Sequence, residues 1–182
     1  MLRRPRPHLP APSAGFTLVE LMVTVAVIGI LAMIAVPAMT ALINNSRLNG
    51  QAEEMVASLQ LARAEAIRRN ARVMVCSSTD GEKCANSSSW SGWIVCVGAG
   101  CLPSNTTGEK EVIRSNVAAG GVQISGPPAA GIVFKPSGLI DSEQTVTVCM
   151  PVTSPATNRR VLTVMISGVV SSSKVNGGGT CP

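Results

Sequence analysis

The chain has 182 residues, a length that suits one domain plus an anchor. Two Phe, two Trp and no Tyr leave any core to Val, Ile, Leu and Met. The formal charge of +5 includes Arg3, Arg4 and Arg6 near the start; the +2 that remains beyond them argues against binding to an acidic partner through overall charge alone.

In chain order, a short basic leader with three prolines before Ala11 comes first, and it has no apolar core of its own. A small-residue stretch, Ser13-Ala14-Gly15, follows, and then an apolar run that carries no charge from Leu21 to Ser46. Read as a helix rising about 1.5 Å per residue, that run exceeds the roughly 30 Å hydrocarbon core of a bilayer. A secretory signal places its cleavage site after the apolar part and discards it. Here the small residues precede the apolar part, so cutting after Gly15 keeps the helix and starts the mature chain at Phe16. The alternative is an uncleaved signal anchor holding a periplasmic domain.

Glu20 sits near the start of this run. A carboxylate within a spanning helix costs about 2.5–3.5 kcal/mol at the bilayer centre and less near the interface. In a first turn the helix dipole returns only about 0.3–1 kcal/mol. Glu20 therefore either caps the dipole or seeks a cation inside an assembly, such as the free amine of Phe16 on a neighbouring subunit. Gly29 and Pro37 lie within the run, and Pro37 removes a backbone hydrogen bond there.

Beyond Asn44-Asn45-Ser46-Arg47 the pattern becomes amphipathic. Ala52, Met55 or Val56, Leu59, Ala62 or Ala66, and Ile67 recur at helical spacing, with Glu53, Glu54, Gln60, Arg63 and Arg68 on other faces. Glu65 can meet Arg68 and Arg69, and the helix is expected to end at Arg69-Asn70.

The remainder reads as strands at 72–76, 93–97, 122–125, 132–135, 145–150, 160–166 and 169–174, rich in Val, Ile and Thr and separated by Gly, Pro, Ser and Asn. Residues 77–91 and 99–109 read as loops. The predicted fold is α+β: a long N-terminal helix, membrane-spanning in its first half, packed against a C-terminal antiparallel β-sheet. Trp93 reads as a buried anchor, while Trp90 is left open between a buried and an exposed place.

All six cysteines, Cys76, Cys84, Cys96, Cys101, Cys149 and Cys181, follow the apolar run. An even number on one side of a membrane points to disulfides in an oxidising compartment. Zinc is the competitor, but the spacings are not those of paired CxxC motifs, and His8, the only histidine, lies in the leader. Short separations favour Cys76–Cys84 and Cys96–Cys101, which leaves Cys149–Cys181. A basic leader retained in the cytoplasm puts the cysteines in the periplasm. No metal, cofactor or catalytic residue is expected: the serine runs read as solvated loops, and Gly177-Gly178-Gly179 lacks the strand-to-helix context of a phosphate loop.

Gly15-Phe16-Thr17-Leu18-Val19-Glu20 with its apolar run resembles the class III signal of type IV pilins and type II secretion pseudopilins. The resemblance implies a prepilin peptidase that cuts after Gly15 and N-methylates Phe16, with Glu20 and Pro37 serving assembly. Ala66-Ile67-Arg68-Arg69-Asn70, Cys76-Ser77-Ser78, Ser91-Gly92-Trp93-Ile94-Val95 and Phe134-Lys135-Pro136-Ser137-Gly138 resemble the GspH/FimT branch of minor pilins. The implied domains are a cleaved leader at 1–15, a transmembrane and assembly helix at 16–43, its amphipathic half at 44–70 and a periplasmic disulfide-bonded β domain at 71–182.

The implied function is a non-catalytic minor pilin or pseudopilin, held in the inner membrane and then built into a type IV pilus or a type II secretion filament with other pilins. DNA uptake by a FimT-like receptor is the alternative. DNA-binding members resemble one another in a Gly-Arg-x-Arg stretch; the matching Gly168-Val169-Val170-Ser171 lacks both arginines, which leaves Arg159, Arg160 and Lys174 as candidate DNA contacts. DNA is therefore a possible but not a favoured partner.

Overall fold

The computed structural model describes residues 15–105 and 108–182; the leader arginines, His8 and the Ser13-Ala14 part of the cleavage segment lie outside the described residues. The chain divides into two compact units, Met1–Met39 and Thr40–Pro182. One helix, α1 (Leu18–Arg69), contributes to both.

In the first unit α1 begins where Thr17 can cap it: the Glu20 amide donates to Thr17 Oγ1 at 3.2 Å, and the Leu21 amide donates to the Thr17 carbonyl. Glu20 stands in the first turn, and Pro37 lies inside the helix.

In the second unit α1 turns amphipathic. Leu48, Ala52, Met55, Leu59, Ala62 and Ala66 are buried in a single stripe. The helix ends with Asn70 in the left-handed region, its amide donating to the Ile67 carbonyl and that of Ala71 to Ala66. This paired arrangement satisfies carbonyls that a helix end leaves orphaned, and asparagine tolerates the conformation it needs.

Among the described residues nine strands follow: β1 (Val73–Ser77), β2 (Ser89–Trp90), β3 (Gly92–Val97), β4 (Glu111–Val117), β5 (Gln123–Ser125), β6 (Ile132–Phe134), β7 (Gln144–Cys149), β8 (Arg159–Val164) and β9 (Val170–Val175). They form two antiparallel sheets rather than one continuous sheet, in the orders β4-β3-β1-β6 and β2-β5-β7-β8-β9. Two strands were not expected. β4 escaped because Glu111, Arg114, Ser115 and Asn116 interrupt its apolar residues: it is a sheet edge with one side open, and its register against β3 shifts between Val95 and Cys96, where Ile113 of β4 is the extra residue. β2 falls inside the stretch read as a serine-rich loop, where Trp90 pairs with Ile124 and is buried.

The α1 stripe shares one core with both sheets, including Val73, Val75, Trp93, Val95, Ile132, Phe134, Val146, Val148, Leu162 and Val164. Ile67, assigned above to the stripe, is not part of it and is exposed, because the stripe passes through Ala66 instead. β1 is buried on both faces. Val73 and Val75 point to the main core, while Met74 and Cys76 join Ile94, Cys96, Cys84 and Cys101 in a second, smaller one.

Three disulfides brace this arrangement, in the same three pairs set out above. Cys76–Cys84 and Cys96–Cys101 tie the loops over the smaller core, with Cα atoms 5.5 and 6.2 Å apart. Cys149–Cys181 fixes the glycine-rich tail to β7.

Candidate assembly and processing site

In the first unit Gly15 and Phe16 precede the helix and are exposed. Exposed large apolar side chains then occur at nearly every turn, from Leu18, Val19, Leu21 and Met22 to Ile34, Val36 and Met39. No face of this segment is covered, and the helix is long and apolar enough to cross a membrane. At about 25 cal/mol per Å² of apolar surface, such a surface is costly in water and calls for lipid or for other helices. Glu20 is the single charge in this surface.

The three basic residues considered for DNA are placed very differently. Arg160 is 2 % exposed and is not a surface group. Its Nε donates to Asn49 Oδ1 at 2.8 Å, one terminal amine to Asn45 Oδ1 at 2.7 Å, and the other to the carbonyls of Thr157 and Arg159. Burial pushes its pKa down, and neutral oxygens rather than a carboxylate stabilise the cation. Arg160 is thus corrected from a candidate DNA contact to a brace between β8 and α1. Asparagines at 45 and 49 were the available signal, since they lie one helical turn apart and can jointly grip a fork of donors.

Arg159 is half-buried and engages the tail, donating to the Thr180 carbonyl at 2.9 and 3.2 Å and to the Gly177 carbonyl at 3.4 Å. Lys174, opposite Arg160 on β9, is exposed. The glycines at 177–179 serve as a turn: the Gly177 amide donates to Asn158 Oδ1 at 2.7 Å, and Cys181 closes the tail.

Perturbed carboxylates occur elsewhere. Hydrogen bonds from Arg68 and then Arg69 hold Glu65 at about 2, and Arg69 also grips Glu111 on β4. Backbone amides of Glu82 and Lys83 hold Asp80 at about 2 in the loop closed by Cys76–Cys84. Both environments favour the charged carboxylate and stitch elements together. Among the described residues no group of His, Cys, Asp and Glu is arranged to hold a metal ion.

A helix apolar on all sides, joined to a disulfide-braced pair of antiparallel sheets packed on an amphipathic helical stripe, defines a pilin-type α+β subunit. The family described as Type II transport protein GspH matches residues 51–169, and the chain belongs to it. The prokaryotic N-terminal methylation motif matches residues 11–36, spanning Gly15, Phe16 and Glu20. Two solved structures share the fold. The type IV minor pilin FimU of Pseudomonas aeruginosa is 20% identical with a TM-score of 0.52, over 71% of this chain and 90% of that one. The minor pseudopilin EpsH from the type 2 secretion system of Vibrio cholerae is 15% identical with a TM-score of 0.50, over 70% of this chain and 97% of that one. No curated protein matches the chain.

Proposed function

We propose that this GspH-family chain is a non-catalytic filament subunit that waits in the inner membrane as a single-pass precursor with its disulfide-bonded domain in the periplasm. A prepilin peptidase cleaves after Gly15 and methylates the amine of Phe16. The subunit then enters a type IV pilus or a type II secretion filament as a minor component, beside other pilins.

The observation that carries this reading is the uncovered apolar helix starting three residues after Gly15, inside the matched methylation motif. Lipid covers such a surface before assembly and neighbouring helices cover it afterwards. In that second setting Glu20 pairs with the Phe16 amine of an adjacent subunit and fixes the stagger between helices. Pro37 supplies a joint, since neighbours can satisfy the carbonyl it frees.

The receptor role for DNA is weaker, because Arg160 is committed inside the domain and Arg159 to the tail. Binding through phosphates falls with salt at about 0.9 log units per contact, so a remaining Lys174 and a few neighbours would fade near physiological ionic strength.

Mass spectrometry of the protein from cells that contain the peptidase tests the reading. A chain beginning at methylated Phe16 is expected, with processing blocked by Gly15→Val. A mature chain that still carries the leader would overturn it and favour a plain signal anchor.

A further inference from the structure

Large apolar side chains are rarely exposed in the second unit, yet they gather at one place. Of the seven exposed among the described residues beyond Ile43, five are Ile67, Leu139, Met165, Ile166 and Val169. Three of these, Ile67, Ile166 and Val169, are 53, 56 and 49 % exposed. They come from three separated parts of the chain: the last turn of α1, the 135–139 turn after β6 and the hairpin joining β8 to β9.

Short contacts hold these parts together. The Ile140 amide donates to the Ile166 carbonyl at 3.1 Å, and Arg63 Nε donates to the Gly138 carbonyl at 3.2 Å. Gly138 and Gly168 both lie in the left-handed region and pack so closely that a Cβ on Gly168 would strike the Gly138 carbonyl and Arg63. The apolar surface is therefore a fixed feature of the tertiary structure, not a floppy tip.

A cleft of about 400 Å³ opens within it, lined by Gln60, Arg63, Ala64, Ile67, Val169 and Val170. Arg63 is half-buried there. Its terminal amines have no hydrogen bond among the described residues, and it makes no ion pair with any described carboxylate. A half-desolvated guanidinium with two free terminal amines beside aliphatic walls is complementary to a carboxylate carried by an apolar segment, since the fork geometry suits a carboxylate and the walls exclude water from the pair.

We propose that the cleft around Arg63, with Ile67, Ile166 and Val169, docks a partner filament subunit through an acidic side chain flanked by aliphatic residues. The proposal rests on the filament-subunit reading and names the surface by which the folded domain meets its neighbour. Arg63 anchors the carboxylate. Ile67, Ile166 and Val169 supply the desolvated surround that makes a central charged contact count. The hairpin suits a protein partner better than DNA: Gly168-Val169-Val170-Ser171 contributes aliphatic groups and no cation for phosphate.

The test uses the full-length chain in cells that assemble it, with photoreactive benzoylphenylalanine replacing Val169. Illumination is expected to give an adduct to one pilin-type subunit, and the cross-linked peptide should contain Asp or Glu among apolar residues. Arg63→Glu should lower the yield roughly tenfold or more, as for an anchor residue. Arg63→Lys, which keeps the charge but not the fork, should fall between the parent and Arg63→Glu, and replacing the mapped partner carboxylate by Lys should restore the yield with Arg63→Glu. Ile166→Ser should reduce the yield, whereas Val117→Ser, at an exposed site on β4, should not.

Intact disulfides on non-reducing mass analysis exclude misfolding as the cause of any loss. No adduct, an adduct to lipid or nucleic acid, a peptide without a carboxylate, or a yield indifferent to Arg63→Glu overturns the proposal. Leader cleavage is scored on the same samples. Normal cleavage and filament entry with no Arg63 effect defeats the docking surface alone, while absent cleavage defeats the subunit reading and the docking surface together.

Discussion

The indole Nε1–H of Trp93 donates to Ser58 Oγ at 2.9 Å, and that hydroxyl donates in turn to the Glu54 carbonyl one turn back on α1. Both side chains are fully buried. One hydroxyl thus lets the bulkiest residue of β3 be buried against a helical stripe otherwise made of Leu, Met and Ala. Ser58→Ala leaves the indole donor without a partner and should cost about 1–3 kcal/mol. Denaturant unfolding of the full chain in detergent, followed by Trp fluorescence, measures it. A change within error would mean that water or another acceptor replaces the hydroxyl.

Arg160 is expected to act on stability and not on nucleic acid. Asn49→Leu strands its Nε–H in a buried setting and should destabilise by about 1–3 kcal/mol, with a similar or larger effect for Arg160→Ala. Retardation of duplex DNA at physiological salt should be weak in the parent and unchanged in either variant. Tight binding lost on Arg159→Ala with Lys174→Ala would restore the receptor reading.

Acid should loosen the chain in a defined window. Glu65 is held at about 2 against an ordinary 4.5, and Asp80 at about 2 against 3.8. A carboxylate with a depressed pKa binds its proton less readily in the folded state than in the unfolded state. Its stabilisation is therefore fully present above the unfolded value and is lost as pH falls toward 2. The Tm should be flat down to about pH 5 and then decline, and Glu65→Gln or Asp80→Asn should each make that decline shallower. An unchanged profile in both variants would assign acid sensitivity to other carboxylates.

The three disulfides should differ in what they contribute. On the chain-entropy estimate, closing the 32-residue separation of Cys149–Cys181 contributes about 4 kcal/mol, against about 2 kcal/mol for the 5-residue separation of Cys96–Cys101. Replacing Cys149 and Cys181 together by Ala should therefore lower Tm more than replacing Cys96 and Cys101. It should also release the tail that Arg159 holds, which limited proteolysis after Lys174 would detect. The reverse order of Tm losses would show that strain or roofing of the smaller core outweighs loop entropy.

Glu20→Ala should leave membrane insertion intact, because it removes a charge from an apolar run, and should reduce entry into filaments. Cell fractionation separates the two outcomes. Normal filament entry would reduce Glu20 to a residue that favours the helix dipole.

Local sequence signals determined a good deal by themselves. The charge gap from Leu21 to Ser46 dictates a long apolar helix, because hydropathy and charge act through solvent and need no partner within the chain. Asn70 ends α1 for a local reason, its tolerance of the left-handed region, and the β-branched runs became strands within a residue or two of their expected bounds. Cysteines five and eight residues apart could close only short loops.

Tertiary structure decided what depends on neighbours distant in sequence. β4 is a strand because the open edge of β3 gives its backbone partners, although its own residues are half polar. Trp90 is buried because Gly126 leaves room against its ring. Arg160 is an internal brace and not a surface cation because two asparagines 111 and 115 residues earlier reach it. Ile67 stands exposed beside the 138 and 168 turns because the helical stripe had already been satisfied by Ala66, and a side chain one position away on a helix points about 100° elsewhere.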